Sequence, residues 1–398
     1  MKLGYAARLA ILMLFSLACG LAPAAPPNWV ATWMAAPDGA GPALTPLTIR
    51  QIIRTSIGGT SVRIRLSNLY GAGPLDIGSA HLALRAGGAA IGPGSDRALT
   101  FNGQPAVVIA QGESAVSDAI DMDVTALREL AVSLYLPAGA GRSTIHGAGM
   151  QTAYIARGAD AGGAAATAFT ETDDSRYFLT DVEVAADAGA HAIVIVGDSL
   201  ADGIGSTSDG NLRWPDLLAA RLAPSSAAVL NAGIAGNRLI NDGAKPFVGP
   251  SMLSRLRRDA LDKPGVRWIV LHGGINDISA SDMLAAPAQH ASAEQIIEGM
   301  RTLILRAHEK GVKVGGATLL PYAGVGRPFI HSAEGEAKRL TVNAWIRDAG
   351  KFDAVIDFDR LMRDPARPDR LLPAFDSGDH LHPNDIGYQA MARAMPSW

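Results

Sequence analysis

Near residue 190 the apolar pattern of this chain changes period, so a single architecture cannot serve both halves. From residue 28 to about 184, polar and apolar residues alternate in short runs. The clearest is Ser61-Val62-Arg63-Ile64-Arg65-Leu66, with the period of two of a half-buried strand. Further strands are expected at 49–55, 75–84, 107–110, 130–136, 151–156 and 177–184. Turns are expected at Gly58-Gly59, Gly71-Ala72-Gly73-Pro74, Gly87-Gly88 and Gly92-Pro93-Gly94. Short strands, frequent turns and no long amphipathic helix predict a β-sandwich, jelly-roll-like, over residues 28–186. The Ala-, Gly- and Thr-rich stretch 158–172 reads as an exposed loop or linker, and Asp187-Ala188-Gly189 closes this half.

Beyond it, Ile193-Val194-Ile195-Val196 is an uninterrupted apolar run, the pattern of a strand covered on both faces. Strands expected at 227–231, 267–271, 312–320 and 355–358 alternate with helices expected at 213–222, 253–261, 293–310 and 334–348. Gly311 marks the end of the third helix. Such alternation predicts an α/β fold over residues 190–398, a flavodoxin-like parallel sheet with helices on both faces. Ligands of such sheets bind outside the carboxyl ends of the strands.

The first 24 residues address the chain. Lys2 and Arg8 precede and flank a short apolar run, 9–17, and Ala22-Pro23-Ala24 offers small residues for cleavage. This is the pattern of a signal peptide, cleaved after Ala24, and implies a secreted or periplasmic protein; a buried N-terminal helix is the alternative. Cys19 is the sole cysteine, so no intrachain disulfide and no cysteine metal site can form. Anchoring as a lipoprotein at Cys19 is the lesser alternative, because Ser16 stands where a lipobox usually has Leu. No later segment has 18 uninterrupted apolar residues, so no membrane span is expected after signal removal. The 35 basic and 38 acidic residues nearly balance and build no basic field, so no nucleic-acid partner is expected.

Four motifs follow predicted strands of the second half. Gly197-Asp198-Ser199-Leu200 places a hydroxyl at a strand-to-helix turn, where it acts as a nucleophile or merely as a cap. Asn231-Ala232-Gly233-Ile234-Ala235-Gly236-Asn237 is either a plain glycine turn or a close backbone approach to a substrate oxygen. In Gly273-Gly274-Ile275-Asn276-Asp277 the Asn276 amide can donate to a developing oxyanion, or form an Asx turn. In Asp379-His380-Leu381-His382-Pro383, Asp379 can orient the His382 imidazole. The alternatives are a metal pair of His380 with His382, for which no third and fourth ligands suggest themselves, or capping by Asp379 or Asn384.

Taken in order, these four blocks resemble those of the SGNH hydrolase superfamily, the GDSL-type esterases and lipases: Gly197-Asp198-Ser199-Leu200, Gly236, Gly274-Ile275-Asn276-Asp277, and Asp379 to His382 as Asp-x-x-His. The resemblance covers just over half of the chain, with the N-terminal β region looking like the extra domain of some secreted bacterial members. Arg238 stands where the second block often has Ser or Thr, and Gly233 is the alternative to Gly236. The resemblance implies an ester hydrolase with Ser199 as nucleophile, His382 as base, Asp379 as its orienting carboxylate, and Ser199, Gly236 and Asn276 as oxyanion donors. It implies no cofactor and no metal. The expected substrate is a small-molecule or glycan ester with a short acyl group, acetyl foremost. A general carboxylesterase or lipase is the runner-up, and a non-catalytic phosphate or nucleotide binder at 197–205 the remaining alternative.

Overall fold

The computed structural model describes residues 26–398 apart from 159, 164, 244, 246, 285, 327, 328, 330 and 349. The expected signal segment 1–24, with Cys19, lies outside the described residues.

The first half is β-rich. One antiparallel sheet runs Asn28–Met34, Leu179–Ala186, Gly59–Ser67, with Ser114–Val116 and Ile120–Val124 both paired to the far side of Gly59–Ser67. The other runs Glu171–Asp173, Ala153–Arg157, Leu47–Arg54, Glu129–Leu136, Ser79–Gly87, Ala90–Ile91, and Arg97–Ala98 also pairs with Ser79–Gly87. The alternation read from 61–66 is realised: Val62, Ile64 and Leu66 are fully buried, while Arg63 and Arg65 between them are half-buried. These three share one core with Val132, Leu134, Val182 and Val184 of both sheets.

Two expectations for this half need correction. The 75–84 run is not one strand: Leu75–Ile77 pairs with Val107–Ile109, and Ser79–Gly87 starts afresh against Glu129–Leu136. The break falls at Gly78, where a Cβ would lie 3.1 Å from the side chains of Pro137 and Tyr135. Nor is 158–172 merely an exposed linker. Arg50 is fully buried, and a buried guanidinium must be surrounded by acceptors. It donates to the carbonyls of Ala89 (2.5 Å), Ala161 (3.2 Å) and Gly162 (2.8 Å), and stacks 4.1 Å from the centre of the Phe169 ring. The stretch folds down over this cation.

The second half holds a five-stranded parallel sheet in the order Ala227–Gly233, His191–Gly197, Val266–His272, Lys313–Ala317, Ala354–Ile356. The central strand explains its continuous apolar sequence. Val194 and Val196 enter one core, and Ile193 and Ile195 enter the other. Helices α1 (Ser199–Asp202) and α2 (Trp214–Leu222) belong to the second core. Helices α3 (Met252–Leu256), α5 (Ala293–His308) and α6 (Ala333–Arg347) feed the first, and α4 (Ile275–Met283) contributes Ile278 to it. Helices α7 (Phe358–Met362) and α8 (Asp385–Ala394) close the second. The helix expected at 253–261 changes to a π-helical turn over Arg257–Leu261. Phe358, expected in a strand, opens α7, because Asp357 caps that helix by accepting from the Arg360 N–H. Neither the hairpin of Arg363–Asp364 with Arg367–Leu371 nor α8 was anticipated. The Asp379–His382 motif therefore lies between this hairpin and α8, not at the end of the fifth strand.

The first core continues without a break from the parallel sheet into the β-rich half. Polar contacts cross the same boundary. Ser56 Oγ donates to the Val229 carbonyl at 2.7 Å, and buried Lys263 pairs with Asp181 at 2.5 Å. Among the described residues no helix is long and apolar enough to cross a membrane.

Candidate active site

The central strand ends at Gly197, where a Cβ would lie 2.7 Å from Ala201 and 2.8 Å from the His272 carbonyl, so the chain can turn here only without a side chain. Asp198 caps α1, its Oδ1 accepting from the Leu200 N–H at 3.1 Å. Ser199 therefore opens the helix, 7% exposed, with its Oγ 2.8 Å from His382 Nε2. His382 Nδ1 donates to Asp379 Oδ2 at 2.5 Å. The other Asp379 oxygen accepts from the backbone N–H groups of His382 (2.8 Å) and Leu381 (2.9 Å), and from Ser377 Oγ (3.2 Å). Burial works against its charge, yet the His382 ring and these N–H donors hold the carboxyl well below the usual carboxylate range. Asp379 is thus a fixed anion that orients the ring and its tautomer.

The second and third blocks pack beside α1. Gly233, which ends its strand, is pressed against α1: a Cβ there would lie 2.4 Å from the Asp202 N–H nitrogen. Its own N–H is taken by Asn231 Oδ1 at 2.9 Å. Gly236 has a φ of +75°, a left-handed conformation that glycine adopts freely, and it lines a cavity together with Asn276. Asn276 sits in the first turn of α4, buried, with Nδ2 donating to the Asn237 carbonyl at 3.1 Å. Gly274, before this helix, has a φ of +123°. Buried Asp277 accepts from the N–H groups of Leu239 (2.7 Å) and Ile240 (3.2 Å), which holds the Gly236 loop to α4. Burial nevertheless pushes its carboxyl up to about 6.

The cavity has a volume of about 150 Å³ and an apolar wall that includes Val248, Ala280, Met283 and Leu284. His380 does not converge with His382: its Nδ1 meets Asp376 Oδ2 at 2.6 Å, while both nitrogens of His382 face Ser199 and Asp379. Among the described residues, no cluster of three His, Cys, Asp or Glu side chains could hold a metal.

Ser199, Gly236, Asn276, Asp379 and His382 thus lie in one continuous arrangement, while His380 stands apart, and one group that ties the arrangement together was not anticipated. Arg255, fully buried in α3, donates to Gly197 O (3.0 Å), Asn237 Oδ1 (2.9 Å) and Asp259 Oδ2 (3.2 Å). It fastens the strand end before Ser199 to the Gly236 loop. Its only sequence signal is a cation inside an otherwise ordinary helical pattern.

Residues 195–390, a stretch that holds every site residue described above, match the GDSL-like Lipase/Acylhydrolase family. The chain carries a GDSL-like hydrolase domain and is a carboxylic ester hydrolase. No curated protein matches it as a relative. Solved structures similar to it include an aryl esterase from M. smegmatis, 18% identical, with a TM-score of 0.41, covering 52% of this chain and 96% of that one. A carbohydrate acetylesterase from Sinorhizobium meliloti is 17% identical, with a TM-score of 0.39, covering 51% of this chain and 95% of that one. A GDSL-like lipase from Bacteroides thetaiotaomicron is 18% identical, with a TM-score of 0.39, covering 52% and 87%.

Proposed function

We propose that this protein is a serine ester hydrolase that removes short acyl groups, acetyl foremost, from small or carbohydrate alcohols through an acyl-enzyme. The observation that carries the reading is the unbroken hydrogen-bonded chain from Asp379 through His382 to Ser199. Ser199 Oγ attacks the ester carbonyl and passes its proton to His382 Nε2. The imidazolium formed is stabilised by Asp379. The carbonyl oxygen takes the negative charge and meets the N–H groups of Ser199 and Gly236 and the Asn276 amide. His382 then protonates the departing alcohol. Water, deprotonated by the same imidazole, releases the acid and restores Ser199. Every charge and proton in these steps is handled by the residues named, so the reaction calls for no cofactor.

The apolar cavity beside Gly236 and Asn276 supports a short acyl group, because it opens where the carbonyl oxygen would be held. The alcohol is the less constrained part. The β-rich half, read as a jelly-roll-like sandwich, packs along the hydrolase half and contributes to substrate choice, and residues 1–24, read as a signal, send the protein out of the cytoplasm. Hydrolysis of p-nitrophenyl acetate tests the reading, and acetylated glycans test the alcohol part.

Three outcomes are expected. Asn276→Ala should lower kcat by roughly 10²–10³-fold, the range for one oxyanion donor, and a change under about threefold would remove Asn276 from that role. Activity should fall toward acid pH, since only neutral imidazole can accept the Ser199 proton. Asp379 is held so far below the usual carboxylate range that it stays ionised through mild acid. The acid limb of log kcat/KM against pH should therefore have a slope of about one, and a slope of about two would mean that the carboxylate titrates as well. Ala280→Leu should fill the cavity and cut the rate on p-nitrophenyl butyrate relative to the acetate by roughly tenfold, the scale of one or two methylenes in an apolar pocket. An unchanged ratio would move the acyl group elsewhere.

A further inference from the structure

The nucleophile stands on a helix of one turn, Ser199–Asp202. A single turn has almost no stability of its own, since nucleation costs more than its few hydrogen bonds return. Something outside it must fix its geometry. Its last residue, Asp202, is 1% exposed, and a buried carboxylate at the end of a helix has the wrong sign for the helix dipole. It is stable there only with a cation and donors close by.

The cation comes from the other half of the chain. His146 ends the strand Thr144–His146, and its ring is buried. Nε2 lies 3.0 Å from Asp202 Oδ1, and Nδ1 lies 2.9 Å from the Ala36 carbonyl. Both partners are acceptors, whereas a neutral imidazole has only one N–H, so the ring is an imidazolium. Asp38, on the β-rich side, stands 3.8 Å from Nδ1. Burial pulls the ring's pKa down, but Asp202, Asp38 and the Ala36 carbonyl outweigh it and push it up to about 9. Arg213 and Arg255 also act on Asp202 electrostatically, but their hydrogen bonds go elsewhere: Arg213 to Asp216, and Arg255 to Asp259, Asn237 and Gly197. The second oxygen of Asp202 accepts from the Ala235 N–H at 2.8 Å, and Ala235 immediately precedes Gly236. One carboxylate thus joins the helix of Ser199 to the loop of Gly236.

We infer that His146, contributed by the β-rich half, is a positioning residue for acyl transfer: it clamps Asp202, and Asp202 sets the spacing between the nucleophile and the oxyanion donor. This rests on the esterase reading above. His146 lies outside residues 195–390, so the family domain alone lacks this clamp. Small misplacements of reacting groups cost up to about a hundredfold in rate, which makes the clamp measurable.

The test uses the full chain and p-nitrophenyl acetate. His146→Leu should lower kcat by roughly 10–100-fold with KM within about twofold. His146→Gln should recover only part of that loss and leave kcat roughly fivefold below the parent, because its amide still donates to Asp202 but carries no charge. Ser56→Ala removes a different hydrogen bond between the two halves, the one to the Val229 carbonyl, and should keep kcat within about twofold of the parent. If His146→Leu does not fold, the pair His146→Gln and Ser56→Ala decides: the roughly fivefold loss of kcat at unchanged KM in the first alone upholds the inference. Equal losses in both, or losses only in melting temperature with kcat intact, would overturn it. An inactive parent protein would instead sink the esterase reading, so the two failures are distinguishable.

Discussion

Ser199→Ala is expected to lower kcat on p-nitrophenyl acetate by roughly 10⁵–10⁶-fold, the scale seen when the nucleophile of a serine triad is removed. The protein should stay folded. The change deletes one oxygen and leaves the His382–Asp379 bond and the Asp198 cap of α1 in place. What remains is binding and the oxyanion donors, which account for only the residual rate. A folded variant that kept more than about a hundredth of the parent kcat would remove Ser199 from the chemistry.

The second large effect is expected on deleting the β-rich half. A chain beginning near residue 187 should be insoluble, or soluble and inactive. The first core runs across the boundary, so the deletion would expose apolar side chains around Val194, Ala228 and Leu230 to water. It would also remove Asp181 from Lys263 and His146 from Asp202, so the one-turn helix that carries Ser199 would lose its partner in the β-rich half. A soluble truncated protein with the parent kcat would show that the halves are independent.

The residues of the site were legible because each announces itself within a few positions of chain. Ser199 follows a buried strand and a glycine, Asn276 follows Gly273-Gly274, and Asp379 and His382 are three apart. The parallel sheet was legible for a similar reason, since strands buried on both faces need continuous apolar runs. The groups that hold the site together were not legible. Arg255, Asp202 and His146 act through partners far away in sequence, and nothing in their own neighbourhoods distinguishes them from ordinary polar residues. Arg50 is the same case in the β-rich half: only its carbonyl partners across the fold reveal why a glycine-rich stretch packs down. Boundaries failed where tertiary contact overrode pattern. An apparently continuous strand divides at Gly78 because Leu75–Ile77 and Ser79–Gly87 pair with different strands, and α8 escaped notice although Asn384 caps it, accepting from the Gly387 N–H at 3.0 Å.

The central claim is that Ser199, activated by His382 and Asp379, forms the acyl-enzyme. Its most direct test is covalent trapping. The protein would be treated with diisopropyl fluorophosphate, which phosphorylates activated serines and leaves ordinary ones alone, and the adduct located by peptide mass mapping. A single phosphoryl group on Ser199, with esterase activity falling in proportion to labelling, is the expected result. Activity that survives full labelling of Ser199, or an adduct that accompanies inactivation at another residue, would contradict it.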